Sequence, residues 1–246
     1  MKTIEICLPI KDEEKIIADK IKFLDSELSN LDLEVKWILS GVVNGSLDAS
    51  YNILESLIPV LAHKLKIFNI KKGGKARAIK VCWQQSEADI LVFMDIDLAV
   101  PPYFLEPLLL PLINKEADLV IGSRFLPESD ITRLWQRRLI SQFYIFFSRL
   151  LLHHKQSDLQ CGFKAITKEA YQKIACHLKD NNWFLDTELI MFSKSYNMRI
   201  KEIPVKWQER ENVVKKSNIH VIKDSWRFFK NLIILRGRLK KFKIKQ

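Results

Sequence analysis

Hydrophobic residues in the first half of the chain form short runs that alternate with segments of helical spacing. Residues 89–94 carry five consecutive apolar side chains, Ile-Leu-Val-Phe-Met. A run of this length is too short for a stable helix and is typical of a strand buried on both faces of a parallel sheet. Comparable runs predict further strands at residues 3–9, 35–43, 66–70 and 118–122.

Between these runs, apolar residues recur every three or four positions, which predicts amphipathic helices. The predicted helices span residues 12–28, 46–63, 75–86 and 102–114. Alternating strands and helices are typical of a doubly wound α/β fold, in which helices flank a mostly parallel central sheet. Beyond residue 122 the alternation weakens. There we predict helices from residue 168 and around residues 186–188, a strand at 203–207 and a cationic closing helix.

Length, charge and cysteine spacing limit the classes of protein to which the chain can belong. Its 246 residues, 48% of them hydrophobic, fit one large α/β domain with a buried core. The formal charge of +11 indicates an anionic partner: nucleic acid, an acidic lipid surface or a phosphorylated substrate. The cysteines lack C-x-x-C spacing, so we expect neither a disulfide nor a zinc site.

The sequence pattern also predicts where the protein resides. The first predicted strand contains Glu5 and lacks a small-residue cleavage site, unlike a signal peptide. The apolar runs are shorter than the roughly 18 residues that a membrane span needs. We therefore expect a cytoplasmic protein. Two segments come closest to membrane character: residues 139–152, rich in Phe, Ile and Leu, and residues 226–235, which precede a basic tail.

Two carboxylates, Asp95 and Asp97, follow the buried strand at residues 89–94. In an open α/β sheet, ligands bind at the carboxyl ends of the strands. Paired carboxylates at such an edge can hold a divalent cation that also binds phosphate oxygens. The alternative is a solvated Asp-x-Asp loop, which arises often by chance. Asp95 and Asp97 lie between a buried strand and the pair Pro101 and Pro102, and this position favours a metal and diphosphate site.

Two basic segments are candidate phosphate sites. Residues 71–78, Lys-Lys-Gly-Gly-Lys-Ala-Arg-Ala, precede a predicted helix, whose N-terminus favours anions, and the glycines allow close backbone approach. Arg124 follows another strand, and Arg137, Arg138 and Ser141 come soon after it. Arginines can form paired hydrogen bonds to a phosphate. An ordinary solvated turn and a solvated helix face are the respective alternatives.

Taken together, these motifs resemble those of family 2 glycosyltransferases and occur in the same order. They lie at residues 9–13, 44–48, 72–78, 95–97, 122–125, 158–164, 183–188 and 204–207. The resemblance extends over about residues 3–220, and it is greatest to the dolichyl-phosphate glucosyltransferase and polyprenyl-phosphate mannosyltransferase branch. The blocks Asp-Leu-Gln-Cys-Gly-Phe-Lys and Trp-Phe-Leu-Asp-Thr-Glu are the specific part and favour the glucosyl side.

The resemblance implies a GT-A (Rossmann-like) domain over residues 1–220, followed by a basic amphipathic helix or tail at 221–246. It implies inverting, metal-dependent transfer of a hexose, with glucose favoured, to a polyprenyl or dolichyl phosphate. UDP-glucose is the favoured donor, and GDP-mannose with mannosyl transfer is the alternative. Many relatives have C-terminal membrane spans, but this sequence contains no apolar run long enough for one. We therefore expect peripheral attachment at the cytoplasmic membrane face or a separate membrane partner.

The resemblance also implies roles for individual residues. The nucleotide sugar would be bound by Pro9, Glu13, Asn44, Lys72, Gly74, Lys75 and Asp95. Mg²⁺ or Mn²⁺ would be held by Asp95 and Asp97, the catalytic pair. The acceptor phosphate would be bound by Arg124, Arg137 and Ser141. Asp186 and Glu188 are either sugar or metal-shell contacts or structural residues that cap a helix or pair with a lysine.

Two positions depart from the family pattern. Val43 and Asn44 stand where the family has two aspartates, the first of which contacts the base. This departure leaves the choice between uridine and guanosine open. Ala99 replaces a polar residue that some relatives place two positions after the second aspartate, so we expect water to complete the metal shell.

Two other classes of protein remain as alternatives. The missing aspartates are compatible with a non-catalytic module that binds nucleotide sugars. The net charge is compatible with a nucleic-acid-binding protein, but the basic residues form no recognised RNA or DNA motif, so we expect no nucleic-acid partner. For residues 139–152 and the C-terminal segment, the alternative to a membrane-surface role is an ordinary core helix with a soluble tail.

Overall fold

The computed structural model describes the backbone of residues 1–132, 135–208 and 221–243, and their side chains except those of 132, 135–140, 221–226 and 243. The strands are β1 (Lys2–Ile10), β2 (Val35–Asn44), β3 (Lys64–Ile70), β4 (Ile90–Met94), β5 (Leu119–Ser123), β6 (Asp130–Thr132), β7 (Phe163–Thr167), β8 (Ile200–Pro204) and β9 (Lys206–Gln208). The α-helices are α1 (Ile17–Asn30), α2 (Ser50–Leu57), α3 (Lys75–Gln85), α4 (Leu105–Ile113), α5 (Trp135–Leu152), α6 (Lys168–Ile174), α7 (Leu185–Ser195) and α8 (Val221–Lys243).

The central sheet has the strand order β3-β2-β1-β4-β7-β5-β8. Its neighbours are parallel except at β7, which is antiparallel to both β4 and β5. A second, parallel pair joins β6 and β9. The predicted mostly parallel sheet flanked by helices is therefore confirmed. Because the chain runs from β1 outward to β3 and then returns to place β4 on the other side of β1, the strand order reverses between β1 and β4, where such sheets bind ligands.

The five strands predicted in the first half correspond to β1 through β5. Helix α1 begins at Ile17, later than predicted, because Asp12 has a left-handed backbone with φ of 54°. The predicted strand at 203–207 is two strands, β8 and β9. Strand β7 is not among the predicted elements, because Lys164 interrupts its apolar run. The predicted domain boundary at residue 220 lies outside the described residues.

Both faces of the sheet are covered by apolar side chains. On one face, Ile6 and Leu8 of β1 pack in one cluster with Ile21 of α1. On the other face, Phe93 of β4 packs in a second cluster with Ile79 of α3. All five residues of β4 are buried, which is why its sequence is continuously apolar rather than alternating. The sheet therefore provides a rigid edge for the loops that follow its strands.

Helices α5 and α8 pack against each other, with the rings of Phe147 and Phe229 5.8 Å apart. Several large apolar side chains of these helices point away from the core. They form what we call the apolar surface: Phe143, Phe146 and Leu150 on α5, and Ile233 and Ile234 on α8. Within the described ranges, neither of these helices nor any other is long and apolar enough to cross a bilayer.

Candidate active site

The loops after β1, β2 and β3 meet at the carboxyl edge of the sheet. Asp12 donates its backbone N–H to Ser46 Oγ at 3.0 Å, and Gly45 donates its N–H to the carbonyl of Ile70 at 2.8 Å. Pro9 and Glu13, both half-buried, lie at and just after the end of β1. The structure thus brings the predicted nucleotide residues of these loops to one edge.

Asp95 and Asp97 lie on a tight turn directly after β4. The Asp95 carbonyl accepts the N–H of Leu98 at 3.0 Å, and Asp97 Oδ1 accepts the N–H of Ala99 at 3.1 Å. Aspartate favours such turns because its short side chain bonds the backbone two residues ahead. Leu98 has a left-handed φ of 54°. The turn leaves 42% of the Asp95 side chain exposed to solvent.

The two carboxylates fit a hard divalent cation. In the described part of the chain, no cluster of three or more His, Cys, Asp or Glu side chains could hold a metal ion. Mg²⁺ commonly needs only one or two carboxylates, because water and substrate phosphates supply its other ligands. The donor set of Asp95 and Asp97 is therefore sufficient for a metal that arrives with a diphosphate, and it is insufficient for an all-protein metal cage.

Lys75, the first residue of α3, forms an ion pair with Asp95. Its Nζ lies 2.5 Å from Asp95 Oδ1, and it lies over the rings of Phe93 at 5.5 Å and Trp183 at 5.3 Å. Burial lowers the pKa of Lys75, but the carboxylates of Asp95, Asp186 and Asp97 outweigh burial and raise that pKa above its usual value. The ammonium group is therefore charged at neutral pH.

Gly162 is a site residue for which the sequence predicted no role. A Cβ atom there would lie 2.0 Å from Asp95 Oδ2 and 3.0 Å from Lys75 Nζ. The antiparallel pairing of Phe163 with Met94 brings this glycine against the Asp95 turn. Together these elements line a small cleft, whose walls are Met94, Asp95, Ala99, Val100, Gly162 and Trp207.

The glycine-lysine loop is built differently from the prediction. Asn44, which is buried, donates its side-chain amide to the Ile10 carbonyl at 2.7 Å and accepts the N–H of Gly74 at 3.0 Å. Gly74 has a φ of 144°, and a Cβ there would lie 2.2 Å from the Asn181 carbonyl oxygen. Asn44 therefore fastens the loop to β1, and only glycine fits at position 74.

Two of the first three amides of α3 are not open to a phosphate, contrary to the prediction. Ala76 donates its N–H to the Asn182 carbonyl at 2.8 Å, and Arg77 donates its N–H to the Asn181 carbonyl at 3.2 Å. The positive charge of this loop therefore comes from its side chains. Lys72 is exposed.

Arg124 is held by a buried carboxylate. Its Nε and Nη2 donate to the two oxygens of Asp158 at 2.7 and 3.1 Å, and its side chain is 8% exposed. Burial raises the pKa of Asp158, but Arg124 outweighs burial, so the pKa is lowered. Arg124 also lies 5.9 Å from the ring of Trp207, which lines the cleft. Of the other predicted acceptor ligands, Ser141 is half-buried on α5, and the side chain of Arg137 lies outside the described residues.

Asp186 and Glu188 are both engaged inside the protein. Asp186 accepts from Lys164 Nζ at 2.6 Å, and both side chains are buried. Glu188 pairs with Arg238 of α8 and accepts the N–H groups of Lys179 and Asp180 at 2.8 and 2.9 Å. The structural interpretation accounts for these two carboxylates, and the sugar-contact interpretation does not. The exposed residue of this block is Trp183, 58% of which is accessible.

Comparison with known proteins supports the interpretation of the fold and identifies the family. Residues 5–175 match the model of glycosyl transferase family 2. The chain is 34% identical to the glycosyltransferase AglD of Haloferax volcanii over 137 residues. These aligned residues make up 56% of this chain and 22% of AglD. It is 26% identical over 247 residues to a dolichyl-phosphate β-glucosyltransferase of Dictyostelium discoideum, covering 96% of this chain and 74% of that protein.

A solved structure shares the fold at low sequence identity. It is glucosyl-3-phosphoglycerate synthase from Mycobacterium tuberculosis, crystallised with Mn²⁺, UDP-glucose and phosphoglyceric acid. The TM-score is 0.69 with 18% identity, over 96% of this chain and 80% of the synthase. The architecture is thus that of a GT-A glycosyltransferase. Since the family model covers more than half of the chain, the protein belongs to glycosyl transferase family 2.

Proposed function

We propose that this enzyme transfers a hexose, with glucose favoured, from a nucleoside diphosphate sugar to a polyprenyl or dolichyl phosphate, with inversion at the anomeric carbon. One observation carries the proposal: Asp95, Asp97 and Lys75 converge at the carboxyl edge of the sheet, beside the point where the strand order reverses. This arrangement can neutralise a departing diphosphate, which carries the negative charge that develops when the anomeric bond breaks.

On the donor side, Asp95 and Asp97 would hold Mg²⁺ or Mn²⁺. When bound, the metal would act as a Lewis acid on the diphosphate oxygens. Lys72 and Lys75 would add positive charge, and Gly74 would hold the loop in the conformation that places Lys75 at the site. Pro9 and Glu13 would line the nucleotide pocket, while Asn44 would keep the loops after β1 and β3 together through the hydrogen bonds described above.

On the acceptor side, a phosphate monoester needs orientation more than deprotonation, because its second pKa is about 6. No catalytic base is therefore required. Arg124, oriented by Asp158, would bind this phosphate together with Arg137 and Ser141 of α5. The choice of glucose and UDP is supported by the dolichyl-phosphate β-glucosyltransferase relative and by the UDP-glucose complex of the synthase. A GDP-mannose-dependent mannosyltransferase is the alternative.

A lipid acceptor requires contact with a bilayer. The apolar surface of α5 and α8 exposes Phe143, Phe146 and Leu150 to between 60% and 63%, and α8 carries basic residues at Arg236, Lys240 and Lys241. Exposed aromatic and aliphatic side chains beside cations suit an anionic membrane surface. We propose that these helices attach the enzyme peripherally to the cytoplasmic membrane face, alone or with a separate membrane partner.

The test is a matrix of UDP- and GDP-sugars with polyprenyl phosphate and Mn²⁺, read as lipid-linked sugar. We expect most product from UDP-glucose. Asp95→Asn and Asp97→Asn should each lower turnover at least about 100-fold, as expected when a group that stabilises transition-state charge is removed. Asp32→Asn, an exposed carboxylate just before β2, is the matched control and should keep full activity. Nucleotide-sugar binding without any product would instead favour the non-catalytic module.

A further inference from the structure

Lys75 and a divalent cation would compete for the same carboxylate. Its Nζ is 2.5 Å from Asp95 Oδ1, close enough for a direct ion pair between the ammonium group and the carboxylate. Asp95 is also one of the two residues proposed to hold the metal. A carboxylate oxygen that is paired with an ammonium group has less negative charge to offer to a cation.

The ammonium group of Lys75 lies in a structured environment. Phe93 and Trp183 place their rings 5.5 and 5.3 Å from Nζ, distances at which aromatic faces attract a cation. Only 9% of the Lys75 side chain is exposed. Gly162 packs against both charged groups, since a Cβ at that position would lie within 3.0 Å of each. The pair is therefore a defined contact of the fold.

A second lysine near the Phe93 ring, Lys164, has different bonding partners. Lys164 Nζ lies 5.6 Å from the Phe93 ring, but it bonds the Asp186 carboxylate at 2.6 Å and the Cys161 carbonyl at 2.5 Å. Its side chain is completely buried. Lys164 is thus fixed by two partners within the core, whereas the carboxylate partner of Lys75 is 42% exposed and accessible to a ligand.

We propose that Lys75 is an internal cation that occupies Asp95 until metal and nucleotide diphosphate arrive, and then moves its contact to the diphosphate. This inference rests on the proposed metal-dependent function. It makes Lys75 the residue that couples metal binding to nucleotide binding, so that the metal binds tightly only together with the donor.

Electrostatics explains the coupling. A metal ion at Asp95 without nucleotide would leave two positive charges a few ångströms apart in a partly buried site, where their repulsion is many times the thermal energy. The diphosphate removes this repulsion, because its oxygens accept both the metal and the displaced ammonium group. By linkage, the factor by which the nucleotide tightens metal binding equals the factor by which the metal tightens nucleotide binding.

The experiment is a Mn²⁺ titration followed by the electron paramagnetic resonance signal of free Mn²⁺, with and without UDP. The proteins are wild type, Lys75→Met and Lys75→Gln. Without UDP, both variants should bind Mn²⁺ at least about tenfold more tightly than wild type, because a nearby like charge has been removed. UDP should tighten Mn²⁺ binding strongly in wild type and much less in the variants.

Two controls separate this effect from general charge and from the metal site itself. Lys71→Met removes one exposed charge from the same loop and should bind Mn²⁺ as wild type does. Asp95→Asn should weaken Mn²⁺ binding in every background. If Asp95→Asn has no effect, the proposed metal site is wrong and the inference fails with it.

If Mn²⁺ binding depends on Asp95 but both Lys75 variants bind it no more tightly than wild type, only the internal-cation inference is overturned. Lys75→Arg, which keeps the positive charge, offers a further distinction. Lys75→Arg should bind Mn²⁺ as weakly as wild type does when UDP is absent. Tight binding by Lys75→Arg would mean that side-chain shape rather than charge controls the metal, and it would also overturn the inference.

Discussion

Two sets of charged side chains, one in each half of the molecule, are used in different ways. We name the halves donor and acceptor after their proposed roles. In the donor half, residues 1–113, Asp95 lies on a turn at the sheet edge, and 42% of its side chain is exposed. In the acceptor half, residues 119–208 and 221–243, the pairs Arg124–Asp158 and Lys164–Asp186 are interior, and each of these side chains is at most 8% exposed. The Asp95 carboxylate is accessible to a ligand, whereas each interior charge is paired with a partner inside the protein. Arg124, which lies beside the cleft residue Trp207, is the interior charge that is also proposed to reach a ligand.

This difference shows that residue type alone does not identify a ligand contact. Asp186 and Asp95 are both aspartates close to Lys75, yet Asp186 is buried against Lys164. Taking two charges out of water is costly, and a pair persists in the interior only if each partner satisfies the other. A buried, fully bonded carboxylate is therefore part of the scaffold, whereas a half-exposed one on a turn is available for chemistry.

The largest expected effect is on stability in the acceptor half. Asp158→Asn leaves the buried Arg124 guanidinium without its carboxylate, which should lower the free energy of unfolding by about 3–5 kcal/mol. Urea unfolding would measure the change. Glu169→Gln is the matched control, because Glu169 pairs with Lys173 at the same 2.7 Å but on the surface, where such pairs contribute little. Equal losses in the two variants would contradict the contrast between interior and accessible charge.

The architecture was largely predictable from the sequence, and the reason is the sheet. Strands β1 to β5 lie between helices, so they are short and mostly apolar, and the pattern alone locates them. Strand β7 was not predictable in this way. Lys164 stands in the middle of its pattern, and its burial depends on Asp186, which is distant in sequence. Five residues with a central charge are too few for hydrophobic patterning to predict a strand, whereas the longer apolar run of β1 remains recognisable despite Glu5.

The site was predictable in part. The position of Asp95 after a buried strand follows from local sequence, as does the turn it forms. The contribution of Gly162 does not, because it depends on an antiparallel strand entering beside β4. The engagement of the α3 amides by the carbonyls of Asn181 and Asn182 is likewise a long-range contact. Local sequence thus located the carboxylates but not the groups packed around them.

The second effect is on activity, through Asp95 of the donor half, against which Gly162 of the acceptor half packs. Gly162→Ala places a methyl group where Asp95 Oδ2 now lies, 2.0 Å from the new Cβ. Because the obstacle is the end of a side chain, the carboxylate can turn away at little cost in stability, but it then leaves its metal-binding orientation. We expect turnover to fall roughly 100-fold, a loss of about 2.7 kcal/mol in transition-state stabilisation.

Steady-state kinetics together with urea unfolding would test the Gly162 variant. Gly237→Ala is its matched control, since a Cβ at that helical position meets nothing within 4 Å, and alanine favours the helix. It should leave turnover unchanged. If Gly162→Ala unfolds the protein rather than inactivating it, the Asp95 turn is no more tolerant of change than the interior ion pairs, and the contrast fails.

The smallest effect concerns His154, a buried residue of the acceptor half whose Nε2 lies 2.8 Å from Ser148 Oγ. Burial, with a contribution from Arg149 and Lys194, lowers the pKa of His154 to about 4. An unfolded histidine has a pKa near 6.5. Between these values the unfolded chain binds a proton that the folded protein does not, so stability falls as pH decreases from about 6.5 to about 4.

We expect His154 to account for about 2 kcal/mol of this loss, after allowance for screening by solvent. Unfolding free energies at pH 7.0 and 5.0 would show it, and His154→Gln should flatten the dependence, while substitution of its exposed neighbour His153 should not. Burial also lowers the pKa of His177, so His177 adds to the same slope. The difference between wild type and His154→Gln therefore isolates the contribution of His154.

Asp158, with its lowered pKa, loses its stabilising charge only at more acidic pH. An unchanged slope in His154→Gln would mean that this part of the acceptor half admits water, and that its interior charges are less protected than their burial indicates.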